Sequence, residues 1–126
     1  LDPEIQVTGQ ACPIWVPLVE NFEYDSPGAD YFVEKRINEI LEKDPEIDTL
    51  ILGCTHYPFL MDTIKKISDE MYPEREVEII DPAPAVARHL LEVMEEGGLV
   101  RKDGFSMTLD SSGDMKQLEN IYERLL

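Results

Sequence analysis

From Thr49 to Gly53 the chain reads Thr-Leu-Ile-Leu-Gly, and it passes at once into Cys54-Thr55-His56-Tyr57-Pro58. An uncharged apolar run of this length is the pattern of a strand covered on both faces. Pro58 suits the first turn of a helix, where its missing N–H costs nothing. Leu60, Ile64, Ile67 and Met71 then step by four, three and four, which gives that helix one buried face, and Pro73 stops it. A strand that feeds directly into an amphipathic helix is the repeating unit of an α/β fold, so this stretch restricts the chain to that class.

The flanking sequence extends the pattern. Ile5 to Gly9 is a strand candidate broken by Gln10-Ala11-Cys12-Pro13, and residues 13–28 read as irregular. Ser26-Pro27 is a cap and first helical residue. The stripe Val33, Ile37, Ile40, Leu41 follows, and Pro45 helps to end that helix. Val77 to Ile80 reads as a second buried strand ending at Asp81-Pro82. Ala85 to Glu96 reads as a helix burying Val86, Leu90 and Met94, terminated by Gly97-Gly98. Phe105, Met107 and Leu109 alternate as a strand. Asp114 with Gln117 forms a capping box for a last helix that buries Leu118, Ile121 and Leu125. Alternating strands and helices predict a parallel sheet, in which ligands bind beyond the carboxyl ends of the strands. Cys12, Cys54 and Asp81 each stand at such an end.

Composition removes several functions. A net charge of −16 over 126 residues leaves no basic stripe for nucleic acid or an anionic membrane surface. The acid is spread over helix positions such as Glu92, Glu95 and Glu96, as on a solvated face. No apolar run approaches the roughly 18 residues needed to cross a bilayer, and Leu1 to Gln10 lacks the basic start and apolar centre of a signal peptide. The first residue is Leu rather than Met, which suggests a fragment. Two cysteines are too few for a disulfide scaffold, and both read as reduced thiols in a cytoplasm. A zinc set of Cys12, Cys54, His56 and His89 fits no ligand spacing.

Cys54, Thr55 and His56 fall where a strand gives way to a helix start. Amides there lack partners within the helix and form an anion site, and the same field favours a thiolate at Cys54. The competing reading is plain: Cys54 as a small hydrophobe, Thr55 as a cap, His56 bonded locally. Packing is the better reading of Cys12, a structural role that of His89, and packing that of Trp15, Phe22 and Tyr24. Glu20, after the run Trp15-Val16-Pro17-Leu18-Val19, faces either solvent or a site.

The strings Ile-Leu-Gly-Cys-Thr-His-Tyr-Pro-Phe-Leu (51–60) and Ala-Cys-Pro-Ile-Trp-Val-Pro-Leu-Val-Glu-Asn (11–21) resemble the second half of the bacterial glutamate racemases, within the aspartate/glutamate racemase superfamily. Glu-Ile-Ile-Asp-Pro-Ala-Pro-Ala-Val-Ala (78–87) is similar to a later strand and turn of that family, which commonly has Ser-Gly-Ala where this chain has Pro82-Ala83-Pro84. Ser112-Gly113-Asp114 resembles the segment before its final helix. The resemblance implies cofactor-independent interconversion of L- and D-glutamate by two cysteines on opposite faces of the substrate Cα, with no metal and no cofactor, in support of peptidoglycan synthesis. It makes Cys54 the second of those cysteines, His56 its assistant, Thr55 and His56 holders of the substrate's polar groups, and Glu20 an acidic neighbour of His56.

It also implies a two-domain, parallel-sheet α/β fold present here as a partial chain. Residues 1–73 would be the later part of the second domain and 77–126 the C-terminal part of the first. Cys12, followed by Pro13, is not the family's first catalytic cysteine, so the chain carries one proton-transfer residue of the two. The expectation is a chain inactive in isolation, which binds glutamate, forms a homo-oligomer or requires an N-terminal half, and contacts neither nucleic acid nor membrane. An aspartate or other amino-acid racemase, and a non-catalytic α/β binding module, are the alternatives.

Overall fold

A computed structural model describes residues 4–101, 103–104 and 106–125. Its elements run α1 (Trp15–Glu20), α2 (Pro27–Lys43), β1 (Thr49–Ile51), a 3-10 turn (Tyr57–Leu60), α3 (Met61–Met71), β2 (Glu78–Ile80), α4 (Ala83–Glu96) and α5 (Met115–Leu125). The fold is α/β, and its sheet is a parallel pair with Leu50 opposite Ile79 and Ile51 opposite Ile80. The chain divides into two compact units, residues 1–86 and 87–126.

The first unit holds the core. Ser26 caps α2 as its sequence requires: its hydroxyl accepts from the Ala29 amide at 3.2 Å, and Pro27 opens the helix. The α2 stripe buries Val33, Ile37 and Leu41, and the α3 stripe buries Ile64 and Ile67 behind Leu60 of the 3-10 turn. These stripes bring α2 against α3, with α1 packed on α2 and the 3-10 turn. Fully burying a side chain such as Leu41, Leu60 or Ile64 contributes about 1.5–3 kcal/mol. Arg75 ties the unit together from beyond α3. Its guanidinium donates to the carbonyls of Leu41 (3.2 Å) and Ile47 (2.6 Å) while stacking 5.5 Å from the Tyr72 ring centroid. Leu41 lies in the last turn of α2, where carbonyls lack helical partners, so Arg75 caps that helix from a distance.

Several expectations are corrected. Residues 13–28 are not irregular throughout, because Trp15–Glu20 is a short helix. Pro17 sits in its first turn, where proline is tolerated. The helix is closed by Phe22 at φ 61°, with the Glu23 amide on Leu18 O at 2.8 Å. Ile5–Gly9 forms no strand; Ile5 and Val7 are 65% and 87% exposed, and among the described residues no strand lies beside them. β1 is covered on one face only: Leu50 and Leu52 are buried, whereas Ile51 is 68% exposed. β2 is half-covered rather than buried.

Helix α4, which begins in the first unit and ends in the second, and α5 of the second unit both form, but their stripes stay open. No residue of α4 or α5 is buried; Val86 and Leu90 are exposed, and Met94, Leu118, Ile121 and Leu125 are half-buried. An amphipathic stripe specifies a helix, but burial needs a second surface to cover it. Asp114 caps α5, its Oδ1 accepting from the Lys116 and Gln117 amides. Phe105 of the expected strand lies outside the described residues, and Met107 and Leu109 stand in irregular chain. Among the described residues no helix is long and apolar enough to cross a membrane.

Candidate functional site

The carboxyl end of β1 carries Gly53 into a tight turn at Cys54, closed by the Tyr57 amide on Cys54 O at 3.1 Å. The Phe59 amide then reaches His56 O at 3.2 Å, which starts the 3-10 turn. The regular helix begins only at Met61. The donors near Cys54 are therefore those of a turn and one 3-10 segment, a correction to the expected α-helix start. Leu60, fully buried, pins the segment from below.

Four side chains meet above this turn. His56 Nδ1 lies 3.9 Å from Cys54 Sγ and 3.5 Å from the Thr55 hydroxyl, and His56 Nε2 lies 3.2 Å from Glu20 Oε1. An ionised carboxylate only accepts, so Nε2–H donates a hydrogen bond to it. In a neutral ring that leaves Nδ1 as an acceptor facing the thiol and the hydroxyl. The arrangement can therefore draw a proton from Cys54, with Glu20 fixing the ring and its tautomer. Glu20 is at the end of α1 and 36 residues from His56, so the α1–turn packing places it. Cys54 is half-exposed and free, as nucleophile or base chemistry requires.

Cys12 is different. It is buried, its thiol donates to Gln10 O at 3.8 Å, and burial pushes its pKa from 9.0 to about 11; Arg36 works against that shift and Glu39 with it. It stays a neutral thiol near neutral pH, which is the packing role. Because the folded-state value is raised, this thiol's contribution is complete below pH 9 and is lost as pH rises toward 11. Stability should fall across that window by on the order of 2 kcal/mol. Cys12→Ala should flatten the fall, as read by denaturant midpoints at pH 8 and 11.

Tyr57 is the neighbour the sequence reading missed. Its hydroxyl donates to Cys12 O at 3.4 Å, and its ring meets Trp15 edge-on with centroids 4.9 Å apart. Burial, and then the adjacent Cys12, push its phenol above the ordinary value. An aromatic locked between His56 and Pro58 was the available signal. The remaining candidates lie elsewhere. His89 is an exposed residue of α4 beside Glu92, and Asp81 caps α4 through the Ala83 amide. Among the described residues no three of the His, Cys, Asp and Glu side chains form a metal-holding group.

A cavity of about 950 Å³ opens beside β1 and reaches Cys54; Cys12, Trp15 and Tyr57 stand in its wall.

No family model matches the chain. It is 34% identical to the glutamate racemase of Carboxydothermus hydrogenoformans over 111 residues, 88% of this chain and 39% of that protein. Among solved structures it is similar to a glutamate racemase isoform of Bacillus anthracis, with TM-score 0.77 and 32% identity over 98% of this chain and 44% of that one. It is also similar to the Francisella tularensis glutamate racemase solved with D-glutamate, with TM-score 0.68 and 27% identity over 82% of this chain and 36% of that one. The chain spans about two fifths of the length of these proteins.

Proposed function

This chain is a homologue of the glutamate racemases over part of their length, and from that premise we propose that it supplies one of the two faces of a glutamate-racemising site. Cys54 acts on one side of the substrate Cα. Its thiolate takes the α-proton, leaving the electron pair on a carbanion delocalised into the carboxylate, and an acid from outside these 126 residues returns a proton to the opposite face. In the reverse direction Cys54 is the donor. His56, held by Glu20, accepts the thiol proton when Cys54 is to act as base. Thr55 and His56 hold the substrate's polar groups. The observation that carries this reading is the Cys54–His56–Glu20 chain of contacts at a strand's carboxyl end.

The Cα–H of an amino acid is a very weak acid, and a general base contributes only about 10²–10⁴. Most of the remaining barrier falls to donors that stabilise the enolate-like carboxylate. Turn amides beside Cys54 can do this in spite of a net charge of −16, because their effect is local. We read residues 1–73 as part of the domain that bears Cys54 and 77–126 as part of its companion. The open stripes of α4 and α5 support a unit that further chain completes. The D-glutamate formed would enter peptidoglycan synthesis in a cytoplasmic enzyme without metal or cofactor.

The test is α-proton exchange of L-glutamate in D₂O, followed by NMR and optical rotation. The 126-residue chain alone should not racemise. It should do so when paired with the part of the Carboxydothermus relative that the match leaves out. Racemisation by the chain alone would overturn the incomplete-site reading, and a well-formed but inert pair would overturn the activity. In the active pair Glu20→Gln should lower kcat about tenfold, ~1.4 kcal/mol, with KM nearly unchanged, because the ring loses the acceptor that fixes its orientation.

A further inference from the structure

α1 is too short to hold itself in place. It has six residues, and no side chain caps its start. Isolated helices shorter than about 12–15 residues are marginal in water, so tertiary contacts must seat it. Glu20 is the last residue of this helix, and its carboxylate reaches His56 at 3.2 Å. Whatever fixes the roll of α1 therefore fixes that contact. Two of its residues are buried, Trp15 and Val19. Val19 supplies apolar burial, which is non-directional. Trp15 supplies geometry. Its Nε1–H donates to Phe32 O on α2 at 3.2 Å, and its ring meets the Tyr57 ring at 73° with centroids 4.9 Å apart.

Tyr57 belongs to the turn itself. Its amide closes the loop at Cys54 O at 3.1 Å, and His56 precedes it in the chain. Its hydroxyl donates to Cys12 O at 3.4 Å, the same carbonyl that accepts the Trp15 amide at 3.1 Å where α1 begins. One residue thus grips the start of α1 and helps to build the turn that bears Cys54 and His56. Magnitudes favour its ring over its hydroxyl. An edge-to-face pair is worth about 0.5–1.5 kcal/mol beyond the area it buries. An O–H···O bond is usually ~2.7–2.8 Å long, so this hydroxyl contact is a weak one. We propose that Trp15 and Tyr57 are positioning residues, whose edge-on pair joins α1 to the Cys54 turn and holds Glu20 against His56. Both act through Glu20 and His56 rather than on the substrate. The consequence for turnover rests on the racemase reading; the geometric claim does not.

The test reads the His56–Glu20 contact in the 126-residue chain, as nuclear Overhauser effects between the His56 ring protons and the Glu20 γ-methylene. They should be present in the unaltered chain and in Tyr57→Phe, which keeps the ring. They should vanish in Tyr57→Leu, while effects between α2 and α3 side chains persist. A pair that merely added stability would leave the contact intact in every variant that folds. In the active pair, Tyr57→Leu should lower kcat about tenfold with KM nearly unchanged. Adding Glu20→Gln should lower it little further, because both changes remove one contact. Absence of the effects from the unaltered chain would overturn the proposal. So would their persistence in a folded Tyr57→Leu, their loss in Tyr57→Phe, or additive losses of kcat. If the contact behaves as stated and no pair racemises, the racemase reading alone falls. Should Tyr57→Leu fail to fold, Trp15→Leu removes the same ring pair from the α1 side, and unchanged effects there overturn the proposal.

Discussion

Exchanging Cys54 for serine should lower α-proton exchange by at least about 10³-fold in the paired, active enzyme, and leave glutamate binding nearly intact. The reason is the reference acidity of the two groups. A thiol near pKa 8.5 yields a usable fraction of anion at neutral pH, whereas an alcohol yields almost none, and general-base catalysis is worth about 10²–10⁴. The substitution is close to isosteric at a half-exposed turn position, so the fold should not change. Three readouts separate the outcomes: deuterium incorporation from either enantiomer, glutamate affinity by calorimetry, and thermal unfolding. Loss of exchange with unchanged unfolding identifies Cys54 as a proton carrier. Exchange within tenfold of the parent would remove it from the chemistry. Alkylation rate against pH adds an independent check, since a thiol coupled to His56 at 3.9 Å should lose reactivity in His56→Ala.

Leu60→Ala should destabilise the first unit by about 2–5 kcal/mol. Leu60 is fully buried, at the junction of α3 with the 3-10 turn, the segment that packs on α1. Truncation removes transfer energy and leaves a void in a fully buried site. A domain of this size has only about 5–15 kcal/mol in total, so the loss is a large share. The same residue anchors the turn that carries Cys54, so catalysis should fall in step with stability. Leu60→Met conserves volume and should cost less than ~1.5 kcal/mol. Urea midpoints for the two variants test this. Equal, small losses would mean that the junction repacks freely.

The parts legible in the sequence are those specified by neighbours along the chain. Ser26-Pro27 marked the start of α2, and the α2 and α3 stripes named the buried Val33, Ile37, Leu41, Leu60, Ile64 and Ile67. Cys54, Thr55 and His56 were visible because their adjacency is itself the signal. What failed depended on distant partners. Ile5–Gly9 has strand-like alternation, yet alternation without a neighbour makes no sheet. α1 was missed because Pro17 reads as a breaker and its stop is Phe22 in a left-handed conformation, where a glycine would have signalled the end. Val86 and Leu90 lie on a true helix, but periodicity says nothing of whether a surface covers it. Nothing local pointed from Glu20 to His56, 36 residues on; only family resemblance paired them.

The grip of Arg75 on two carbonyls also bears on how the protein responds to ionic strength. Its partners are neutral oxygens at 3.2 and 2.6 Å, so added electrolyte has no opposite charge to mask. The Lys66–Asp30 and Lys65–Asp69 pairs are exposed and fade once the Debye length shrinks to ~3 Å in molar brine. Meanwhile the mutual repulsion of a chain carrying −16 is relieved. Concentrated brine therefore removes little that holds the α2 and α3 ends together and much that pushes the chain apart, so this fold should tighten where a fold tied by surface ion pairs would loosen.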